Sequence, residues 1–123
     1  MTIAIIVNDE EIITPITEGT VLRIVAQDGT IQDLRNPALD VTEGRRGAAL
    51  RLAIEKGATT FVAPPETFCE ISYVKAQSEN IQFYHLTNNI SYEIFTKALA
   101  NREITLSITL PEAEILSSVP VTK

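Results

Sequence analysis

Two hydrophobic rhythms alternate along this chain. Thr2–Val7 (TIAIIV) is an almost unbroken apolar run that stops at the turn-like pair Asn8-Asp9. A strand covered on both faces has this pattern, so the run predicts the central strand of a sheet. Val21–Gln27 and Thr30–Arg35 flank Asp28-Gly29, which signals a type I′ hairpin with both central residues at positive φ. The second arm carries Gln32, Asp33 and Arg35 and reads as the sheet edge. Between the first strand and this hairpin, Pro15 confines Glu10–Gly19 to a loop.

The spacing then changes to that of a helix. Over Arg45–Lys56, Ala49, Leu50, Ala53 and Ile54 share one face, with Arg51 and Glu55 opposite and Gly57 as the stop. Ala58–Ala63 predicts a short strand, and Pro64-Pro65-Glu66 reads as the opening of a second helix over Pro65–Ser78. Ile81–Thr87 is strand-like. Ser91–Arg102 is a helix with Ser91 as N-cap and Tyr92, Ile94, Phe95, Ala98 and Leu99 on one face. Ile104–Leu110 alternates apolar and polar residues, as a half-buried strand does.

The order is β-β-β-α-β-α-β-α. Right-handed crossovers make this a mixed five-stranded α/β sheet with helices on its faces, plus an extra C-terminal strand. Residues 1–103 form the expected domain and residues 104–123 an extension whose 104–110 strand could pair with a second copy of the chain.

Composition narrows the functions. At 123 residues and a net charge of −6, with no lysine- or arginine-rich block, the chain has one domain's length and no basis for binding nucleic acid. No apolar run is long enough for a membrane helix. No charged n-region precedes an apolar segment at the N-terminus, so a cytoplasmic location is expected. Cys69 and His85 are the single residues of their types, which excludes a disulfide framework and a multi-cysteine zinc site.

Chemistry concentrates at Gly44-Arg45-Arg46-Gly47. The N–H groups and partial positive charge of a helix N-terminus favour anions, and two arginines there are unfavourable unless something negative offsets them. The offset is either a bound anion or Asp40 and Glu43 nearby. Cys69 reads as a core residue or as a thiol activated by the second helix, and His85 as a half-buried strand residue or a ligand. Asp9, Glu10 and Glu11 lie in one loop and read as a solvated turn. No convergent carboxylates or nucleophile elbow support an enzyme.

The full set of elements has a precedent. IAIIVND, a proline-containing loop ending at Gly19, the Asp-Gly hairpin, Asn36-Pro37-Ala38, the Gly-x-x-Gly helix start and EKGATTFVA together resemble the dinitrogenase iron–molybdenum cofactor-binding family. These are the NifX-like domains, which also occur as the tail of NifB-type proteins of nitrogen fixation. The resemblance spans residues 2–103 and implies a ribonuclease-H-like fold. It also implies a non-catalytic role, binding or carrying iron–sulfur or molybdenum-containing cluster precursors. Where the family has a histidine in the loop after its first strand, this chain has Pro15-Ile16-Thr17-Glu18-Gly19, and Ala63-Pro64-Pro65 replaces later glycines. The expectation is an anionic cluster near Asn8, Thr17, Gly44, Arg45, Arg46 and Gly47, with protein partners to receive it. The alternative is a structural or regulatory interaction domain that keeps the fold without the cluster.

Overall fold

The computed structural model describes residues 1–117. Six strands form one sheet: β1 (Ile3–Val7), β2 (Val21–Val25), β3 (Ile31–Arg35), β4 (Thr60–Ala63), β5 (Gln82–His85) and β6 (Leu106–Ser107). Their spatial order is β3-β2-β1-β4-β5-β6, with β1, β4 and β5 parallel and the β1–β2, β2–β3 and β5–β6 pairs antiparallel. Helices α1 (Arg45–Glu55), α2 (Glu70–Ser78) and α3 (Tyr92–Ala100) make the connections around it.

The apolar run of β1 is central because both faces are covered. Ala4 and Ile6 join Leu22, Phe61 and Phe83 against Ala49, Leu50 and Ala53 of α1 and Ala76 of α2. Ile3, Ile5 and Val7 point the other way, with Val62 and Tyr84, toward Phe95 of α3. Burying a large aliphatic or aromatic side chain stabilises by about 1.5–3 kcal/mol. This two-sided packing is therefore the main source of stability. Phe68, two residues before α2, edges against both Phe61 and Phe83, with ring centroids 5.3 and 5.5 Å apart, and anchors the turn that leads into the helix.

Several local expectations change. The sheet has six strands, and the sixth is shorter than the 104–110 alternation predicts. Ser107 Oγ donates to the Thr109 carbonyl (2.8 Å) and accepts from Thr109 N (3.2 Å). That local pairing curls the chain off the ladder after two residues. The hairpin at Asp28-Gly29 is not type I′. Of its two central residues only Gly29 has a positive φ (92°), and Gly29 N donates to Ala26 O (2.9 Å) while Ala26 N donates to Thr30 O (2.8 Å). This is a tighter turn followed by a left-handed glycine.

The second helix begins at Glu70, not Pro65. Thr67 Oγ1 donates to the Pro64 carbonyl (2.7 Å) and Glu66 sits at φ 68°, so the Pro-Pro segment is a turn. Cys69 is the extended N-cap residue, and its N–H donates to Ser72 Oγ (3.0 Å).

Glu11 is also more than a solvated turn residue. Arg23, 8% exposed, donates to both Glu11 oxygens (2.6 and 2.9 Å) and both Asp33 oxygens (2.8 and 2.9 Å). Its guanidinium carbon lies 4.6 Å from the centroid of the Tyr92 ring. Tyr92 N in turn donates to the Glu11 carbonyl (2.8 Å), which ties the loop after β1 to the start of α3.

Candidate functional site

The start of α1 is fixed by the two loops before it. Asn36 is fully buried; its Nδ2 donates to the carbonyls of Ile16 (2.7 Å) and Gly19 (2.9 Å), and its Oδ1 accepts from Ala38 N (3.1 Å). Gly19 permits this close approach. A Cβ there would lie 2.4 Å from Ile6 Cγ2 and 2.8 Å from the Val7 carbonyl oxygen. Gly44 then turns the chain into the helix with φ 64°, a left-handed conformation that suits glycine.

The two arginines separate in role. Arg45 folds back, its Nε donating to the Ala38 carbonyl (2.9 Å) and its Nη2 to the Thr17 carbonyl (3.3 Å). Neither arginine takes Asp40, which is held by Arg35 at 3.0 Å. Among the described residues Arg46 makes no such bonds. Its Nε is shut off from water and meets no hydrogen-bond partner among the described residues. A buried donor left unmatched is costly, by about 1–3 kcal/mol.

Arg46 lines a groove of about 750 Å³ between α1 and α2. Arg45, Arg51 and Lys75 add further cations to its walls, against Glu55 and Glu79. Glu79 is taken up by Lys75 at 3.1 Å, and Arg46 and Arg51 have no ion-pair partner among the described residues. Leu50, Ile54 and Ile71 supply apolar surface, and Cys69 and Ser72 sit where α2 begins. In a chain of net charge −6, this is a local concentration of positive charge.

The expected site residues are only partly gathered here. Gly44, Arg45, Arg46 and Gly47 line the groove; Asn8 and Thr17 do not. Asn8, at the end of β1, accepts on Oδ1 from Glu10 N (2.9 Å) and Ile12 N (3.0 Å), which shapes the following turn. Thr17 contributes its backbone carbonyl to Arg45. Lys75 and Ser72 were missed by sequence reasoning because they become groove residues only when α2 packs beside α1.

His85 and Cys69 belong to different settings. His85 Nε2 lies 2.9 Å from Glu114 Oε1 at the end of β5, and Cys69 Sγ lies 3.3 Å from Ser72 Oγ. Among the described residues no three His, Cys, Asp or Glu side chains converge as a metal centre. A second cavity of about 810 Å³ lies between the β5–α3 loop and residues 103–111. It is lined by His85, Asn88, Glu103 and Ser107 among others and by no lysine or arginine, so it lacks the charge of the α1–α2 groove. No helix is long and apolar enough to cross a membrane.

Among solved structures, the chain is similar to the apo form of the orange protein from Desulfovibrio gigas, with a TM-score of 0.71 at 11% identity over 86% of this chain and 92% of that one. It is also similar to a Thermotoga protein provisionally assigned as NifB, of the DUF35 family, with a TM-score of 0.68 at 11% identity over 90% of this chain and 97% of that one. No protein-family profile and no curated protein sequence matches. At such identity the shared property is the fold, which is common to nearly the full length of all three chains.

Proposed function

We propose that this protein is a non-catalytic, cytoplasmic carrier of the NifX-like, ribonuclease-H-like type, holding an anionic ligand in the groove between α1 and α2. The observation that carries the reading is Arg46, whose buried Nε has no partner among the described residues and whose groove holds excess positive charge. A ligand oxygen or sulfide in the groove would satisfy this donor once the Arg46 side chain turns its Nε outward, and would offset a cation placed at a helix N-terminus. The family resemblance supplies the ligand class, an iron–sulfur or molybdenum-containing cluster precursor. The shared fold with a protein provisionally assigned as NifB is in keeping with that resemblance.

The residues fit such a cluster by charge and not by direct ligation. Arg46, Arg51 and Lys75 would hold an anion that arrives with its own sulfide or oxide ligands. Cys69 is the one thiol on the groove wall. This chain's residues bind and orient; the metal chemistry stays with the cargo. Anaerobic incubation with iron, sulfide and molybdate, followed by metal analysis and absorption spectra, tests the proposal. Stoichiometric metal that is lost in Arg46→Ala supports it. A colourless product with an unchanged melting temperature overturns it.

A second reading is a protein-interaction domain on the same fold. It is favoured by Ile71 and Val74, which leave α2 72% and 62% exposed. The two readings agree if the receiving protein docks on α2 beside the loaded groove.

A further inference from the structure

Residues 111–117 run as a strap across the body at the carboxyl ends of β4 and β5, where parallel α/β sheets place their ligands. Among the described residues the attachment includes a short series of backbone hydrogen bonds. Glu66 N donates to Glu114 O (3.0 Å), Leu116 N to Phe68 O (3.0 Å) and Glu70 N to Leu116 O (2.9 Å). His85 Nε2 and Glu114 Oε1, 2.9 Å apart, latch the middle, with both side chains about a quarter exposed. Apolar anchoring is thin: Ile115 packs only partly buried against the core.

The strap also borders the groove. Leu116 forms a parallel bridge with Cys69, and both Cys69 and Ser117 line the groove wall. The Leu116 carbonyl occupies the N–H of Glu70 in the first turn of α2, a position from which helices receive anions. A neutral backbone oxygen therefore stands at the α2 side of a cationic groove.

We propose that residues 111–117 open as one unit, released at the His85–Glu114 latch, and that their opening admits the anionic ligand to the α2 end of the groove; the ligand half of this inference rests on the carrier reading above. Local opening of a segment held by few apolar contacts lies below the global unfolding free energy. The closed strap then acts as an internal competitor, and a bound anion replaces the Leu116 carbonyl.

Hydrogen exchange on the full chain reads the opening without any ligand. The amides of Glu66, Glu70 and Leu116 are expected to exchange together, faster than those of β1 and β4. In both His85→Ala and Glu114→Ala they should accelerate at least fivefold, while the sheet amides hold. Exchange of these three amides only with global unfolding overturns the strap. Titration calorimetry with molybdate alone reads the gate. Binding at least fivefold tighter to both latch variants supports it, and equal affinity across wild type and variants overturns it. Molybdate that binds none of these proteins overturns both the gate and the groove as an oxyanion site, while concerted exchange of the three amides still establishes the opening. Thermal melts of each variant confirm a folded sheet, and the wild-type exchange pattern decides the strap even if a variant fails to fold.

Discussion

The Nε of Arg45 donates to the carbonyl oxygen of Ala38 at 2.9 Å, so the first of the paired arginines is a brace between a loop and the helix it precedes. Its neighbour Arg46 has no such engagement among the described residues and faces the groove. Both arginines line the groove, but only Arg45 is also bonded back to the loops before the helix. Arg45→Ala should cost about 1–2 kcal/mol, since hydrogen bonds from charged groups are worth roughly 1.5–3 kcal/mol and this one is partly exposed. Arg46→Ala should be at least as stable as wild type, by up to about 1–3 kcal/mol, because it removes a buried donor that has no partner among the described residues. Urea denaturation of both variants checks the contrast, and molybdate titration should show the larger loss of affinity in Arg46→Ala.

Gly19 is held by sterics and not by dihedral angle. Its φ of −105° is open to any residue, but an added Cβ meets Ile6, Thr14 and the Val7 carbonyl at 2.4–2.8 Å. The backbone oxygen cannot rotate away, so Gly19→Ala must shift the loop off β1. The expected cost is about 1–3 kcal/mol, as for overpacking elsewhere, and the urea midpoint measures it. The displaced loop would also pull the Gly19 carbonyl from Asn36, so the α1 start should lose hydrogen-exchange protection in the same variant.

Much of this fold was legible because period and burial agree. The run at Thr2–Val7 predicted a strand covered on both faces, and every residue of β1, Ile3–Val7, is buried while Thr2 is partly exposed. Ser91 predicted an N-cap, and its Oγ accepts from Ile94 N at 3.1 Å. The reading failed where a side chain competes with the backbone. Thr67 delays α2 and Ser107 ends β6, each through a local hydroxyl contact that hydrophobic spacing does not register. The site was legible only along α1. Gly44–Gly47 are contiguous, whereas Lys75 and Cys69 reach the same groove through the packing of a second helix. The Arg23 cluster leaves no signal in the spacing because Glu11, Asp33 and Tyr92 stand far from one another in sequence.

Asn36 should be the costliest polar residue to replace near the site. It meets three buried backbone groups: the carbonyls of Ile16 and Gly19 and the N–H of Ala38. Asn36→Leu keeps the branching and the number of heavy atoms and strips all three of their partner, with some overpacking in addition. With about 1–3 kcal/mol for each buried group left unsatisfied, and some recovery by water, a loss of about 2–4 kcal/mol is expected. Asn36→Asp retains the acceptor to Ala38 N but sets a carboxylate against two carbonyls, so it should not rescue. A near-wild-type urea midpoint for either variant would refute this role.

The Arg23 cluster sets an acid limit on stability. Hydrogen bonds from Arg23 hold the carboxyl groups of Glu11 and Asp33 below their ordinary range, outweighing the opposing effect of burial. A carboxylate whose folded pKa is depressed contributes stability that is complete above its unfolded pKa, about 4, and is lost as pH falls through the folded value. Wild-type stability should therefore be level near neutrality from this cause and decline below about pH 5. Glu11 and Asp33 side chains are 56% and 45% exposed, so solvent screening limits each contribution to roughly 0.2–1 kcal/mol. Glu11→Gln with Asp33→Asn should be less stable than wild type at pH 7 and should flatten the acid decline. Arg23 then remains buried over Tyr92 without a counter-charge, and a buried cation stripped of its partners costs more than the pairs contributed. Urea midpoints from pH 3 to 8 in wild type and the double variant measure both effects, and parallel curves would show that the acid decline arises elsewhere in the molecule.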